Sequence, residues 1–239
     1  MSRCVLFFFM FVLVKGVLFG QDTLRNLSEQ FIPESFPIVG NTPNGSPLWG
    51  DRLGMNIYSD DGFAEKYSAP YPLVVEGLIA YLGGTSGGTG NEIFFEVYGE
   101  LPNGKPSPLI CSVSRKISEL FLGGVNYVSF NEPPFFDASF FVGVSFFDYD
   151  HSNMSGDTVH VMAGPHGSRS GLDLMNYGRN VVRWHGHTTA GVWKDLYTEN
   201  GFPLATHLAL FPVVREVTAG HIDLGSGGVF FPNPVLSGS

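Results

Sequence analysis

Short apolar segments recur along the chain, each five to ten residues long and each followed by Gly, Pro, Asn or Asp within a few positions. They are Leu73–Leu82, Glu92–Tyr98, Leu109–Lys116, Asn126–Phe130, Ser139–Phe147, Thr158–Ala163, Asn180–His185 and Ala205–Val214, with a further one around Val192–Leu196. That length suits strands better than helices. In Ser139–Phe147, alternation places Phe140, Val142, Val144 and Phe146 on one face and Phe141, Gly143, Ser145 and Phe147 on the other. One face is wholly apolar and the other is mixed at its centre, as expected when one side meets an opposing sheet. In Leu73–Leu82, Val74, Val75 and Ile79 favour a strand and Gly77 permits a bulge. The best helix candidate is a single turn within Ser114–Leu122, stopped by Gly123 and Gly124. No helical segments alternate with the strands, which excludes a βαβ order. The pattern predicts an all-β fold: an antiparallel β-sandwich, jelly-roll-like, of about eight or nine strands.

Composition sharpens this picture. Gly (31) and Pro (16) make up about a fifth of 239 residues, too many for a coiled coil or helical bundle. Phe alone (22) outnumbers Lys plus Arg (13), and charged residues are only 15%, so the chain is not generally disordered. Residues 1–20 read as a secretory leader: Arg3, an apolar run Val5–Val14, and Leu18 and Gly20 ahead of a cleavage point before Gln21. The run is too short for a comfortable membrane span, so no transmembrane segment is expected once the leader is gone. Without residues 1–20 the chain holds 11 bases against 22 acids. That balance, and the absence of any Lys/Arg cluster, argues against nucleic acid and anionic membranes as partners. Cys111 is then the sole cysteine, so no intrachain disulfide forms. It lies in the apolar run LICSVS and reads as an inert buried thiol.

The organisation expected is a leader at 1–20, an irregular lead-in with one short edge strand at 21–50, a β-sandwich domain at 51–216, a linker at 217–227 and a distinct tail at 228–239. The glycine-rich stretch Gly83–Asn91 is read as a flexible loop between strands. No Lys-Ser/Thr pair follows it, so it is not a phosphate loop.

Several clusters could carry chemistry. On a strand, His185 and His187 project to the same face and could share a metal, although the first acids after them, Asp195 and Glu199, come too late for a His-x-His-plus-Glu site. Asp148, Asp150 and Asp157 surround an Asp/Asn/Ser/Gly turn, an oxygen-rich setting that would suit calcium. Asp60, Asp61 and Gly62 form a weaker candidate of the same kind. Glu76, Glu96, Glu100, Asp195 and Glu199 are the acids available for hydrolysis, with Glu76 and Glu96 expected to face water. There is no G-x-S-x-G elbow leading from a strand into a helix and no HExxH motif, and no serine carries a local nucleophile signature. Trp49, Trp184, Trp193, Tyr177 and Tyr197 could form a sugar-stacking platform, with Trp184, Trp193, Tyr177 and Tyr197 as the binding set.

The tail reads GGVFFPNPVLSGS. Phe230, Phe231, Pro232, Asn233 and Pro234 resemble the opening of the C-terminal sorting domain carried by substrates of the type IX secretion system of Bacteroidota. That domain is far longer than the segment present, so the resemblance implies a truncated copy. Residues 51–214 also look like a β-sandwich module found in front of such signals, through DDGFAEKYSAPYPLVVEGLIAYLGG, FFEVYGELPNGKPSPLI and VSFNEPPFFDASFFVGVSF. The resemblance implies an exported, cell-surface or released protein that meets the secretion machinery through its tail. It transfers no catalytic residues to this chain, and no cofactor is expected beyond the calcium that the aspartates would suit. The expectation is a non-catalytic module for binding, adhesion or structure, with an extracellular glycan or protein as partner. The alternative is a carbohydrate-active enzyme or a carbohydrate-binding appendage.

The leader assignment predicts that protein recovered from the medium of its producing cells begins at Gln21. Intact-mass measurement checks this, and material retaining Val5–Val14 would refute it.

Overall fold

The computed structural model describes residues 21–41, 44–45, 48, 50–88, 90–146, 156–175, 178–184, 191–199 and 203–217. The stretches expected to be leader and tail, and nearly all of the expected linker, lie outside these residues. In chain order the strands are β1 (Asp22–Thr23), β2 (Asp60–Tyr67), β3 (Leu73–Thr85), β4 (Glu92–Glu100), β5 (Pro106–Lys116), β6 (Gly124–Ser129), β7 (Phe135–Phe136), β8 (Phe140–Ser145), β9 (Thr158–Val161), β10 (Asn180–Trp184), β11 (Val192–Asp195) and β12 (Leu210–Glu216). The expected helical turn is a 3₁₀ turn at Ile117–Glu119, and a single α-turn, α1, covers Leu172–Met175.

Two antiparallel sheets pack face to face. Sheet one runs β1-β12-β3-β6, with β7 and β9 also pairing to β3; sheet two runs β11-β10-β2-β8-β4-β5. Between them lies one apolar core, with Phe63, Phe95, Phe140, Val142, Val144 and Phe146 from sheet two against Leu73, Val75, Leu78, Ala80 and Leu82 from β3. The inward set of β8 is the apolar set that alternation assigns. The fold class is therefore the one that the pattern implies, an all-β sandwich.

Twelve strands occur among the described residues, more than the eight or nine expected. The most consequential addition is β2. Its sequence, DDGFAEKY, has no clean apolar alternation, yet it is buried along almost its whole length and sits between β10 and β8. Its charges are masked by partners rather than by water, so hydropathy does not reveal it. The glycine-rich stretch also differs from expectation. β3 continues through Gly83 and Gly84 to Thr85, because β9 pairs against it there. A Cβ on Gly84, whose φ is +128°, would lie 1.7 Å from the Thr158 carbonyl oxygen.

The lead-in runs along the sandwich. Asp22 and Thr23 pair with Val214 and Val213, and Glu34 bridges Ala163. Leu27 and Phe31 pack with Ile79, Tyr81, Ala209 and Phe211 on the outer face of sheet one.

Phe95 is fully buried in the core. Phe95→Ala is expected to cost about 3–5 kcal/mol in urea unfolding; a loss below 1 kcal/mol would show that the two sheets do not meet there.

Candidate functional site

The structure separates the residues of the expected aromatic platform. Trp193 lies opposite Arg183 in the β10–β11 pair, and Trp184 lies opposite Val192. Adjacent positions on a strand face opposite ways, so the two indoles do not share a face. Trp193 meets the edge of Tyr98 at 5.4 Å, and the Arg183 guanidinium stands 5.3 Å from its ring centre. Trp184 is 40% exposed, with the Lys194 ammonium 3.7 Å over its ring. Tyr197 lies 6.0 Å from the Arg169 guanidinium. Tyr177 and Trp49 lie outside the described residues.

The metal candidates divide similarly. Asp148, Asp150, His185 and His187 lie outside the described residues. Asp157 is buried, and its carboxylate accepts the Gly87 N–H and the Asn91 amide, which ties down the glycine-rich loop. Among the described residues no group of three or more His, Cys, Asp or Glu is placed to hold a metal ion.

The acids are engaged in structure. On the outer side of sheet two, β2 carries an extra residue where Arg183 pairs with Gly62 and Trp184 with Asp60. This irregularity turns Asp61 toward Arg183, at 2.7 Å. Glu96 is 2% exposed and does not face water as expected; it accepts the Tyr98 hydroxyl. Burial raises the Glu96 carboxyl above its ordinary range, and Tyr98 and Arg183 counter this only in part. Asp60 is pushed up to about 6, chiefly by burial, although Asn56 donates to it. At the other end of the sheet, Asp195 is fully buried with Arg169 at 3.0 Å. Burial alone would raise Asp195, but Arg169 and the Thr198 and Gly178 N–H groups outweigh it and hold the carboxyl low. Glu100 meets Lys66 at 3.1 Å, and Glu199 lies 3.9 Å from Lys105. These carboxylates serve as struts, each held by donors of the protein itself.

Among the described residues, the surface that offers a ligand aromatic rings beside fixed charges is the outer face of sheet one, along β6 and β7. Tyr127 pairs with Ile79, Val125 with Tyr81 and Phe135 with Val74, so their side chains share the face that points away from the core. They are exposed by 54%, 48% and 41%. The β12–β3 register shift makes Glu76 the extra residue of a bulge, beside Gly77. A Cβ on Gly77 would lie 2.7 Å from the Tyr127 ring, so the missing side chain lets that ring lie across β3. Glu76 is half-buried and fixed from two sides, by Arg215 at 2.6 Å and by the Gln21 amide at 2.6 Å. It too departs from the expectation of a carboxylate simply facing water. The aromatic cluster of Phe31, Tyr81 and Phe211 continues the face, with ring centres 5.2–6.0 Å apart. An aromatic ring lying on a sheet, next to a carboxylate and a guanidinium in fixed positions, can stack on an apolar ligand face and bond to polar groups at its rim. The sequence reading singles out neither Tyr127 nor Phe135. The available signal was the alternation of GVNYVS, where Asn126 and Val128 are buried and Val125, Tyr127 and Ser129 are exposed.

The chain matches no protein-family model and no curated protein. Among solved structures it is similar to a clostridial cysteine protease, Cwp84, after propeptide cleavage. Identity is 12% and the TM-score 0.45, over 66% of this chain and 36% of that one. It is similar also to the cysteine protease and lectin-like domains of Cwp84, a surface layer associated protein of Clostridium difficile. There identity is 11% and the TM-score 0.43, over 66% of this chain and 32% of that one. The chain thus spans about a third of the length of each. No helix among the described residues is long and apolar enough to cross a membrane.

The raised Asp60 carboxyl has a sign that can be checked. Its folded pKa exceeds the ordinary 3.8, so the folded state binds the extra proton between about 4 and 6. Its contribution to stability is highest at low pH and falls as pH rises through 6. Asp60→Asn removes this dependence. From pH 4 to pH 7.5 the stability difference is expected to move in favour of the variant by about 1–3 kcal/mol. Urea unfolding at the two pH values measures it, and a difference independent of pH would refute the assignment.

Proposed function

We propose that this chain is an exported binding module, acting at the cell surface or outside the cell, and that it holds a glycan on the outer face of sheet one. The observation that carries the reading is the exposed Tyr127 ring laid over Gly77, with Phe135 and Val125 on the same face and Glu76 and Arg215 fixed alongside. Aromatic faces complement the C–H faces of sugar rings, and fixed charged groups accept and donate to hydroxyls. An apolar strip interrupted by paired charges suits an amphipathic ligand better than a wholly apolar one. The face favours binding over catalysis, because its carboxylate is already held by Arg215 and Gln21. Export rests on the leader-like residues 1–20, and the route on the likeness of Phe230–Pro234 to a type IX sorting signal.

A glycan array probed with the full secreted chain tests the reading. Tyr127→Ala and Phe135→Ala should each weaken binding about 5–10-fold, which is the loss of one aromatic contact. Neither should shift the melting temperature by more than about 2 °C, since both side chains are exposed. Retention of full affinity in the double variant would overturn the proposal.

A further inference from the structure

Away from the aromatic strip, three separate segments bring a serine, a histidine and an aspartate together. His160 lies on β9, paired on one side with Gly83 of β3 and on the other with Gly54. Neither neighbour has a side chain. A Cβ on Gly83 would lie 2.2 Å from the imidazole Nε2, and one on Gly54 would lie 2.3 Å from the His160 Cβ. The two glycines make the bed in which the ring rests. Val159 and Val161 belong to the core, so His160 points to the opposite, outer side. There its Nε2 lies 2.6 Å from the hydroxyl of exposed Ser35. Asp51 is near enough for its charge to act on the imidazole. It is 6% exposed, and its two oxygens accept the Phe36 N–H at 2.8 Å and the Leu53 N–H at 2.9 Å. The bond to Phe36 also fixes the backbone next to Ser35.

The geometry points to a hydrolytic site in which Ser35 is the nucleophile and His160 the general base, acting on a neutral acyl ester. The arrangement meets the two requirements of such a pair. The hydroxyl is exposed and within hydrogen-bond reach of an imidazole nitrogen, and the imidazole is held by its surroundings. Burial lowers the basicity of His160, which keeps the ring neutral near pH 7 and able to accept a proton. The Asp51 charge acts in the opposite sense, favouring the imidazolium that forms during reaction, while burial raises the carboxyl of Asp51 itself. Glu34, the residue before Ser35, lines an open cleft of about 460 Å³ with Phe31, Ile32 and Pro165. The Glu34 carboxylate, next in sequence to Ser35, disfavours anionic substrates.

The chemistry balances with water as the second reactant. The Ser35 Oγ attacks the ester carbonyl carbon while its proton moves to His160 Nε2. The carbon–oxygen bond to the alcohol breaks, and the alcohol leaves with that proton. Water then attacks the acyl-Ser35 carbonyl, giving its proton to His160. The acid departs and Ser35 recovers its hydrogen from the imidazole.

This inference does not depend on glycan binding, and its readouts are separate from those of Tyr127→Ala. The full secreted chain is treated with a fluorophosphonate, which forms an Oγ–phosphorus bond with release of fluoride, and the modified peptide is located by mass spectrometry. Labelling at Ser35 is expected, with no label at that peptide in Ser35→Ala. His160→Gln should slow labelling about 100-fold, in keeping with loss of a general base. Hydrolysis of p-nitrophenyl acetate should fall in parallel. With the unaltered chain, the labelling rate should rise with pH along one inflection below about 6.5, the ordinary histidine range. A chain that folds but leaves Ser35 unlabelled would overturn the proposal. So would a rate unchanged by His160→Gln, or one that is flat with pH.

Discussion

A charge placed in the middle of a β-sandwich must be met by a partner of opposite sign or by hydrogen-bond donors or acceptors, or the strand that bears it cannot stay there. Strand β2 carries Asp61, Glu65 and Lys66 into the centre of a six-stranded sheet. Each is met. Asp61 has Arg183, Lys66 has Glu100, and Glu65 receives Asn26, the His207 imidazole at 2.8 Å and the Leu208 N–H at 3.0 Å. These pairs reach far along the sequence, so they decide more than the position of β2. Glu65 draws the irregular run before β12 against sheet two and anchors the lead-in through Asn26. Arg169, fully buried, then joins that region to Asp195 and Asn180. The apolar core holds the sheets together, but the ionic pairs fix how the surrounding segments are draped over them.

The two outer faces are finished differently. That of sheet two is closed by a small cluster of Ala64, Tyr98, Phe141 and Val181, with Trp193 packed on it and Arg183 against the indole. On sheet one, the lead-in covers the β3–β12 side through Leu27 and Phe31, while Val125, Tyr127 and Phe135 stay exposed on the β6–β7 side. On the proposed reading, the face closed by its own side chains serves structure, and the exposed aromatic strip beside fixed charges serves binding.

Alternation made the sandwich legible because strands with one wet face write their geometry into the residue order. Asn126–Phe130 is of this kind; Ser139–Phe147 is buried on both faces, and was legible because Gly143 and Ser145 break the apolar run on its outer side. β2 was illegible for the opposite reason. It is buried on both faces, and its polar residues are neutralised by Arg183, His207 and Glu100, which lie 34 to 142 residues away. The candidate site was hidden by the same limit. Composition draws the eye to tryptophan, but exposure depends on the neighbouring strand. Trp193 is packed, whereas Tyr127 is open because Gly77, fifty residues earlier, leaves room for its ring. Ser35, Asp51 and His160 carry no shared motif, since pairing across β3, β9 and the lead-in brings them together.

Asp22 and Thr23 pair antiparallel with Val214 and Val213, so the chain enters and leaves the sandwich side by side at one edge. Tension applied between those two ends would act across that short ladder, parting its bonds one after another like a zipper, while the remaining strands bear no load at first. A pull on the C-terminal end would reach β12, whose seven paired residues run along β3. Stretched from both ends, the module would therefore yield first at the two paired residues of β1.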